Sequence, residues 1–290
     1  MINSRFFNFR NELERRLLPP RLIRALQIPR EKRALAALER RSCTVAALRN
    51  VDDATVRSWF AADLTAEWQE VERQTASIRY AGGEGAVNTG DRRALYYLAR
   101  ALRAKTILEV GTHVSASTSM LALALKRLAA EPGGAKPRLV TVDILDVNDP
   151  AVGAWKRIGC SHSPAETMHA LGCQDFVHFV ACPSITYLAS SKERFDLIFL
   201  DGDHYSTTVY QEVPAALPLL NPGGIILLHD YFPDLKPLWS DNAVIPGPEL
   251  AISRLRQENV PIAAMPLGSL PWPTKLGSNV SSLAVVSRTR

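Results

Sequence analysis

The stretch FDLIFLDGDHYS, Phe195 to Ser206, followed by NPGGIILLHDY, Asn221 to Tyr231, decides how this chain is read. Each is an apolar run that ends abruptly in carboxylates and imidazoles. Runs of this length bounded by turn residues predict buried parallel strands. The first delivers Asp201, Asp203 and His204 to its carboxyl end, and the second delivers His229 and Asp230. Open parallel sheets bind ligands just beyond the carboxyl ends of their strands. Two neighbouring strands therefore aim acids and imidazoles at one crevice, as a metal or proton-transfer site requires. Such residues also cap strands and open helices, but two termini of this composition favour chemistry over capping.

Outward from these strands the same alternation recurs. Strands are expected at Thr106–Val110, Leu139–Asp143 and Phe176–Ala181, with helices at 117–130, 152–158, 165–171 and 185–189 between them. A helix at 207–220 links the two diagnostic strands, and a last helix at 249–258 precedes PIAAM and SLAVVS. This pattern predicts an α/β fold, a Rossmann-like, mostly parallel seven-stranded sheet with helices on both faces. Leu95, Leu98 and Leu102 give residues 91–104 helical periodicity, with Asp91 as the expected N-cap. Residues 1–78 read as an N-terminal helical arm interrupted at Pro19, Pro20 and Pro29, and 79–290 as the main domain. The glycine-rich segment from Arg79 to Gly90 marks the boundary. Two long loops, 232–248 with Trp239 and 266–279 with Trp272, serve equally well as substrate walls or as segments packed on the core.

The bulk numbers narrow the class. A chain of 290 residues with 47% hydrophobic content can bury one large core. No apolar run approaches the ~18 residues of a bilayer span, and no secretory h-region is expected at the N-terminus. The four cysteines form no CxxC pair and fit reduced thiols, so a cytoplasmic protein is expected. The net charge of +5 is uneven: residues 1–50 carry 12 Lys/Arg against 4 Asp/Glu, a surplus of 8, leaving about −3 elsewhere. Phe6, Phe9, Leu13 and Leu17 lie at helical spacing within this basic arm. It could touch a membrane or nucleic acid, but packing against its own domain or a second subunit is the commoner use of such a segment.

EVGTHVSAST, Glu109 to Thr118, joins the first strand to its helix. Gly111 permits a tight turn, and Ser115, Ala116 and Ser117 are small enough to let a ligand approach the helix N-terminus. Asp143 ends the next strand, where a carboxylate can accept hydrogen bonds from both hydroxyls of a ribose. It lies 32 residues beyond Gly111, later than the ~20 of a dinucleotide fingerprint, and the full GxGxxG is missing. A nicotinamide dehydrogenase is therefore disfavoured.

Taken together, EVGTHVSAST, FDLIFLDGDH and NPGGIILLHDY make residues 87–287 resemble the class I S-adenosylmethionine-dependent methyltransferases. Within that superfamily the chain looks most like the macrocin, mycinamicin and novobiocin group of sugar O-methyltransferases, with catechol O-methyltransferase a more distant relative. The resemblance implies that Glu109, Gly111 and Ser117 line the methionine side of the cofactor, with Thr112 and His113 in the same turn, and that Asp143 holds the ribose. It places Asp201 at the cofactor and as a metal ligand together with His229 and Asp230. His204 falls where relatives carry the general base, with Asp203 as the competing choice. It further implies a small-molecule methyl acceptor, a sugar or aromatic hydroxyl of a secondary metabolite, and a divalent metal, Mg²⁺ or Mn²⁺. A homodimer is expected, no nucleic-acid partner, and at most peripheral membrane contact through the arm.

The chain departs from the pattern in three places. The usual second glycine of the turn is Ser115, tolerable at a negative φ. His229 stands where magnesium-dependent relatives carry an acid, which favours Mn²⁺, another transition metal or no metal. The third strand ends in Ala181-Cys182-Pro183-Ser184, without the acid that often meets adenine. The methyltransferase reading competes with a metal-dependent hydrolase or hydroxylase built on the same Asp/His cluster, and with a binding module that has a vestigial methyltransferase fold. Cys160, His162, His169 and Cys173 match no common zinc spacing, and Ser163-Pro164-Ala165 reads as a helix start.

Overall fold

The computed structural model describes residues 19–78, 86–133 and 136–289. Phe6, Phe9, Leu13 and Leu17, and residues 79–85 of the glycine-rich boundary, lie outside that range.

Seven strands form one sheet: β1 (Thr106–Val110), β2 (Arg138–Asp143), β3 (Val177–Ala181), β4 (Phe195–Leu200), β5 (Leu220–Leu228), β6 (Ile262–Pro266) and β7 (Ala284–Arg288). Their order is β3-β2-β1-β4-β5-β7-β6. The first five run parallel, and β7 runs antiparallel to both β5 and β6. The chain reverses its winding between β1 and β4, so a crevice opens beyond their carboxyl ends. Leu108, Ile198 and Ile226 are all fully buried, as strands covered on both faces require.

Ten α-helices surround the sheet among the described residues. Helices α1 (Pro20–Ala36), α2 (Asp53–Trp59) and α3 (Thr65–Thr75) precede the first strand, and α4 (Thr89–Ala101) leads into it. They are followed by α5 (Ala116–Ala129), α6 (Ala154–Arg157), α7 (Pro164–Ala170), α8 (Ser184–Ser190), α9 (Ser206–Ala216) and α10 (Gly247–Gln257). One apolar cluster packs α2 to α5 on one face through Trp59, Trp68, Leu95 and Leu121. A second packs α1, α8, α9 and α10 on the other through Leu35, Leu188, Val209 and Leu250. The arm therefore contributes to both faces. It crosses beside β7, where Val51 N donates to Ser287 Oγ at 2.8 Å. The Arg100 guanidinium closes a bidentate pair with Glu67 at 2.9 and 3.0 Å, which fastens α3 to α4. No helix of the described residues is long and apolar enough to cross a membrane.

Local chemistry explains where several helices start. Ser163 and Glu166 form a capping box at α7, as the Ser-Pro-Ala signal predicts. Other expectations are corrected. Pro29 does not interrupt the arm helix: α1 runs through it from 20 to 36, while Gln27, Glu31 and Leu35 anchor one side of the helix in the protein. Asp91 is not the cap of α4, because the Asn88 side chain takes that place and accepts from Asp91 N at 3.0 Å. The helix expected over 207–220 ends at Ala216 and tightens into a 3₁₀ turn through Leu219. Trp239 and Trp272 both pack down. Trp239 Nε1 donates to Val280 O at 3.2 Å, and Trp272 Nε1 donates to Gly90 O at 2.9 Å, under the Arg93 guanidinium.

Candidate active site

The loop between β1 and α5 follows a left-handed path at alternate residues, with φ of +97° at Gly111, +48° at His113 and +62° at Ser115. At Gly111 only glycine fits. A Cβ there would stand 2.3 Å from the Asp201 carbonyl oxygen, because the ends of β1 and β4 are pressed together. The turn and the acid-bearing strand end are thus one contiguous structure. Ser115 does not meet the condition of a negative φ under which serine is easily tolerated there. It is fully buried in the left-handed region, with its hydroxyl donating to Val114 O at 2.6 Å.

Glu109 lies beneath this turn, completely buried. Its Oε2 accepts from the hydroxyls of Thr118 at 2.6 Å and Thr141 at 2.7 Å, while Oε1 has no partner. Burial pushes its pKa up to about 7. Thr112 shares a 2.6 Å hydroxyl contact with Thr141, and Ser117 is buried in the first turn of α5. His113 donates its backbone N–H to Asp143 Oδ2 at 3.0 Å, and its buried Nδ1 is unpartnered. Desolvation lowers the His113 pKa, so its ring is held neutral. Asp143 also accepts from Leu145 N at 3.1 Å, which leaves it ordered at the end of β2 with lone pairs free for a ligand's hydroxyls.

Four side chains converge beyond β4 and β5. His229 Nδ1 is 2.7 Å from Asp201 Oδ1 and 3.7 Å from Asp230 Oδ1. His204 Nε2 is 3.5 Å from Asp230 Oδ2 and 3.8 Å from Asp201 Oδ1. Asp230 reaches into the cluster from a left-handed backbone, φ +51°. Burial opposes a charge on His229, but Asp201 and Asp230 outweigh it and hold its pKa well above that of a free imidazole. Among the described residues, Asp201, His204 and His229 place one ligating atom each within 4.8 Å of one another. This set holds Asp201 and His229 of the expected triad together with His204, and Asp230 stands at its edge. Asp203 is exposed and faces its own helix, accepting from Tyr205 N at 3.1 Å and Thr208 Oγ1 at 2.7 Å. Cys160, His162, His169 and Cys173 do not meet as a group.

Asp91 is the site residue that the sequence hid. It is fully buried and accepts from Ser281 Oγ at 2.6 Å and Asn88 Nδ2 at 2.7 Å. Its Oδ2 lies 3.7 Å from His229 Nε2. At that distance the two form an ion-pair contact rather than a hydrogen bond, with negative charge placed behind the ring. The only signal of Asp91 in sequence was that of a helix cap, a role short polar residues fill far more often.

This architecture is that of known methyltransferases. Residues 108–231 match the family described as a methyltransferase domain. An O-methyltransferase from Bacillus cereus in complex with S-adenosylhomocysteine is 19% identical, with a TM-score of 0.50 over 81% of this chain and 100% of that one. A Klebsiella pneumoniae protein described as a candidate O-methyltransferase is 20% identical, with a TM-score of 0.52 over 82% of this chain and 96% of the other. No curated protein sequence matches the chain significantly. Residues 108–231 carry a methyltransferase domain, within the fold of the class I methyltransferases.

Proposed function

We propose that this methyltransferase methylates a hydroxyl oxygen of a small molecule, a sugar or aromatic group, with help from a divalent cation. The observation that carries the reading is the contact of Gly111 with Asp201. It joins the cofactor turn to a cluster of two carboxylates and two imidazoles, so a methyl donor and an acceptor hydroxyl would meet at one edge. The unpartnered buried atoms Glu109 Oε1 and His113 Nδ1 are polar groups that a ligand in the turn would satisfy. When bound, S-adenosylmethionine supplies an electrophilic methyl group.

The protein's own tasks are alignment and proton removal. Asp143 would accept the ribose hydroxyls and fix the donor along the turn, and holding both reactants in line can contribute several kcal/mol, up to ~7–11 in model systems. His204 is 30% exposed, open enough to meet an acceptor and take its proton at Nε2. Asp203 is a weaker choice for base, since both of its oxygens are engaged by the start of α9. The donor set of Asp201, His204 and His229, with Asp230 beside it, fits a divalent cation. The His229 imidazole among the oxygen donors favours Mn²⁺ or another transition metal over Mg²⁺. Such an ion supplies positive charge that lowers the pKa of an acceptor hydroxyl. His204 could ligate that ion or act as base, but not both from Nε2. With Asp201, His229 and Asp230 as ligands, His204 is left for the proton.

Calorimetric titration with S-adenosylmethionine tests this reading, alongside methyl transfer to a panel of hydroxyl acceptors. Wild type should bind, and Asp143→Ala should weaken binding roughly 10- to 100-fold, as losing one or two hydrogen bonds implies. A wild-type protein that ignores the ligand would end it.

A further inference from the structure

Asp203 caps the start of α9 only in part, accepting from Tyr205 N and Thr208 Oγ1. The N-cap residue of α9, Tyr205, makes no side-chain cap hydrogen bond. The missing acceptor comes from the arm, 175 residues earlier: Glu31 Oε2 accepts from Ser206 N at 2.7 Å, and Ser206 Oγ leans on the Glu31 carbonyl at 3.3 Å. Glu31 is 7% exposed and Ser206 fully buried, so the contact is shielded from water. Gly247, first residue of α10, presses on the same segment. A Cβ on Gly247 would stand 1.9 Å from the His204 carbonyl oxygen and 2.7 Å from Ser206 N. The backbone of the His204–Ser206 segment is thus held by two helices that are distant from it in sequence.

The residues that α1 buries are themselves informative. They are Gln27, Glu31 and Leu35, two polar residues and one apolar. A helix docked only for burial would present an apolar stripe at these positions. A carboxylate there is explained by what it caps: a helix N-terminus carries unsatisfied N–H groups and a partial positive charge that favour an acceptor anion.

We propose that Glu31 is a positioning residue for His204, so that the arm completes the active site from outside the family-matched segment. Its cap holds the Asp203–Ser206 turn in the register from which His204 Nε2 faces Asp230 and Asp201. This rests on the reading of His204 as the base. It predicts that removing the arm's carboxylate damages turnover while leaving the cofactor turn, which lies on other strands, intact.

The test compares Glu31→Ala with Glu31→Gln in the full chain. Glutamine keeps a carbonyl acceptor for the Ser206 amide, and alanine does not. The first readout is the His204 imidazole signal in histidine-labelled protein, identified by its absence in His204→Ala and recorded without cofactor or acceptor. The second is kcat beside the Kd for S-adenosylmethionine. Glu31→Ala should move the His204 signal, leave the His113 signal in place, and lower kcat at least tenfold with Kd changed less than twofold. Glu31→Gln should restore both signal and kcat. An unmoved His204 signal in folded Glu31→Ala overturns the proposal, as does equal damage in the alanine and glutamine variants. If Glu31→Ala does not fold, Glu31→Asp replaces it under the same criteria, because its carboxylate is too short to reach Ser206 from the same backbone. A wild type that transfers no methyl group refutes the functional reading, and the His204 signal still decides the role of Glu31.

Discussion

One buried imidazole, that of His229, spans two carboxylates: its Nδ1 lies 2.7 Å from Asp201 Oδ1 and its Nε2 lies 3.7 Å from Asp91 Oδ2. Neither ring nitrogen completes a hydrogen bond, despite the short contact to Asp201. A nitrogen–oxygen approach this short without a hydrogen bond is the spacing that two ligands of one cation show.

Metal binding should therefore stabilise the protein. At a Mn²⁺ concentration about 100 times Kd, linkage adds ~2.7 kcal/mol, a rise of several degrees in Tm. Asp201→Ala should abolish that rise, and a chelator should reverse it in wild type. Identical thermal-shift curves with and without Mn²⁺, Mg²⁺, Co²⁺ and Zn²⁺ would remove the metal from the proposal.

His204→Ala should lower kcat by about 10²- to 10⁴-fold, the usual contribution of a general base, with affinity for S-adenosylmethionine unchanged. Asp203→Asn should keep most of the turnover, because an asparagine side-chain oxygen can still accept from Tyr205 N or Thr208 Oγ1. Steady-state kinetics on both variants decides which residue is the base, and full activity in His204→Ala would exclude it.

Ser115→Gly should stabilise the protein by roughly 0.5–1 kcal/mol, since glycine adopts φ +62° without the penalty an L side chain meets. The lost hydroxyl contact to Val114 O limits the gain. Gly111→Ala should cost about 2–4 kcal/mol, because its Cβ would collide with the Asp201 backbone. Urea denaturation midpoints measure both. A destabilised Ser115→Gly would mean that the hydroxyl matters more than the backbone strain.

Glu212 gives a pH signature away from the cation cluster. It is buried in α9, where desolvation raises its pKa to about 7, and it accepts from Ser184 Oγ at 2.6 Å. Its folded pKa lies above the unfolded value, so folding favours the protonated form. The stability it contributes is complete below about pH 4.5 and is lost as pH rises through 7, by ~3 kcal/mol in order of magnitude. Glu212→Gln should therefore match wild type near pH 4.5 and become the more stable protein by pH 8. Parallel denaturation curves at all pH values would contradict this.

The parallel strands were legible because burial on both faces writes an unbroken apolar run into the chain, as in FDLIFL and GIILL. The strand-end placement of Asp201, His204, His229 and Asp230 followed from the same rule, and the structure gathers all four. Asp91 escaped notice because its partner His229 lies 138 positions away, on another element, while its local context was that of a helix start. The backbone of Ser115 was not legible either, because its φ of +62° belongs to the folded turn between β1 and α5. The two tryptophan loops carried no code that separates a wall from a packed segment.

Periodicity and turn chemistry act over a few residues, so the chain by itself determined the α/β sheet, its strand ends and the turn at Gly111. Tertiary packing alone decided that α1 runs through Pro29, that Glu31 caps the turn beside His204, and that Asp91 stands behind His229. Those contacts join groups far apart along the chain, and their geometry exists only once both cores have closed around the sheet.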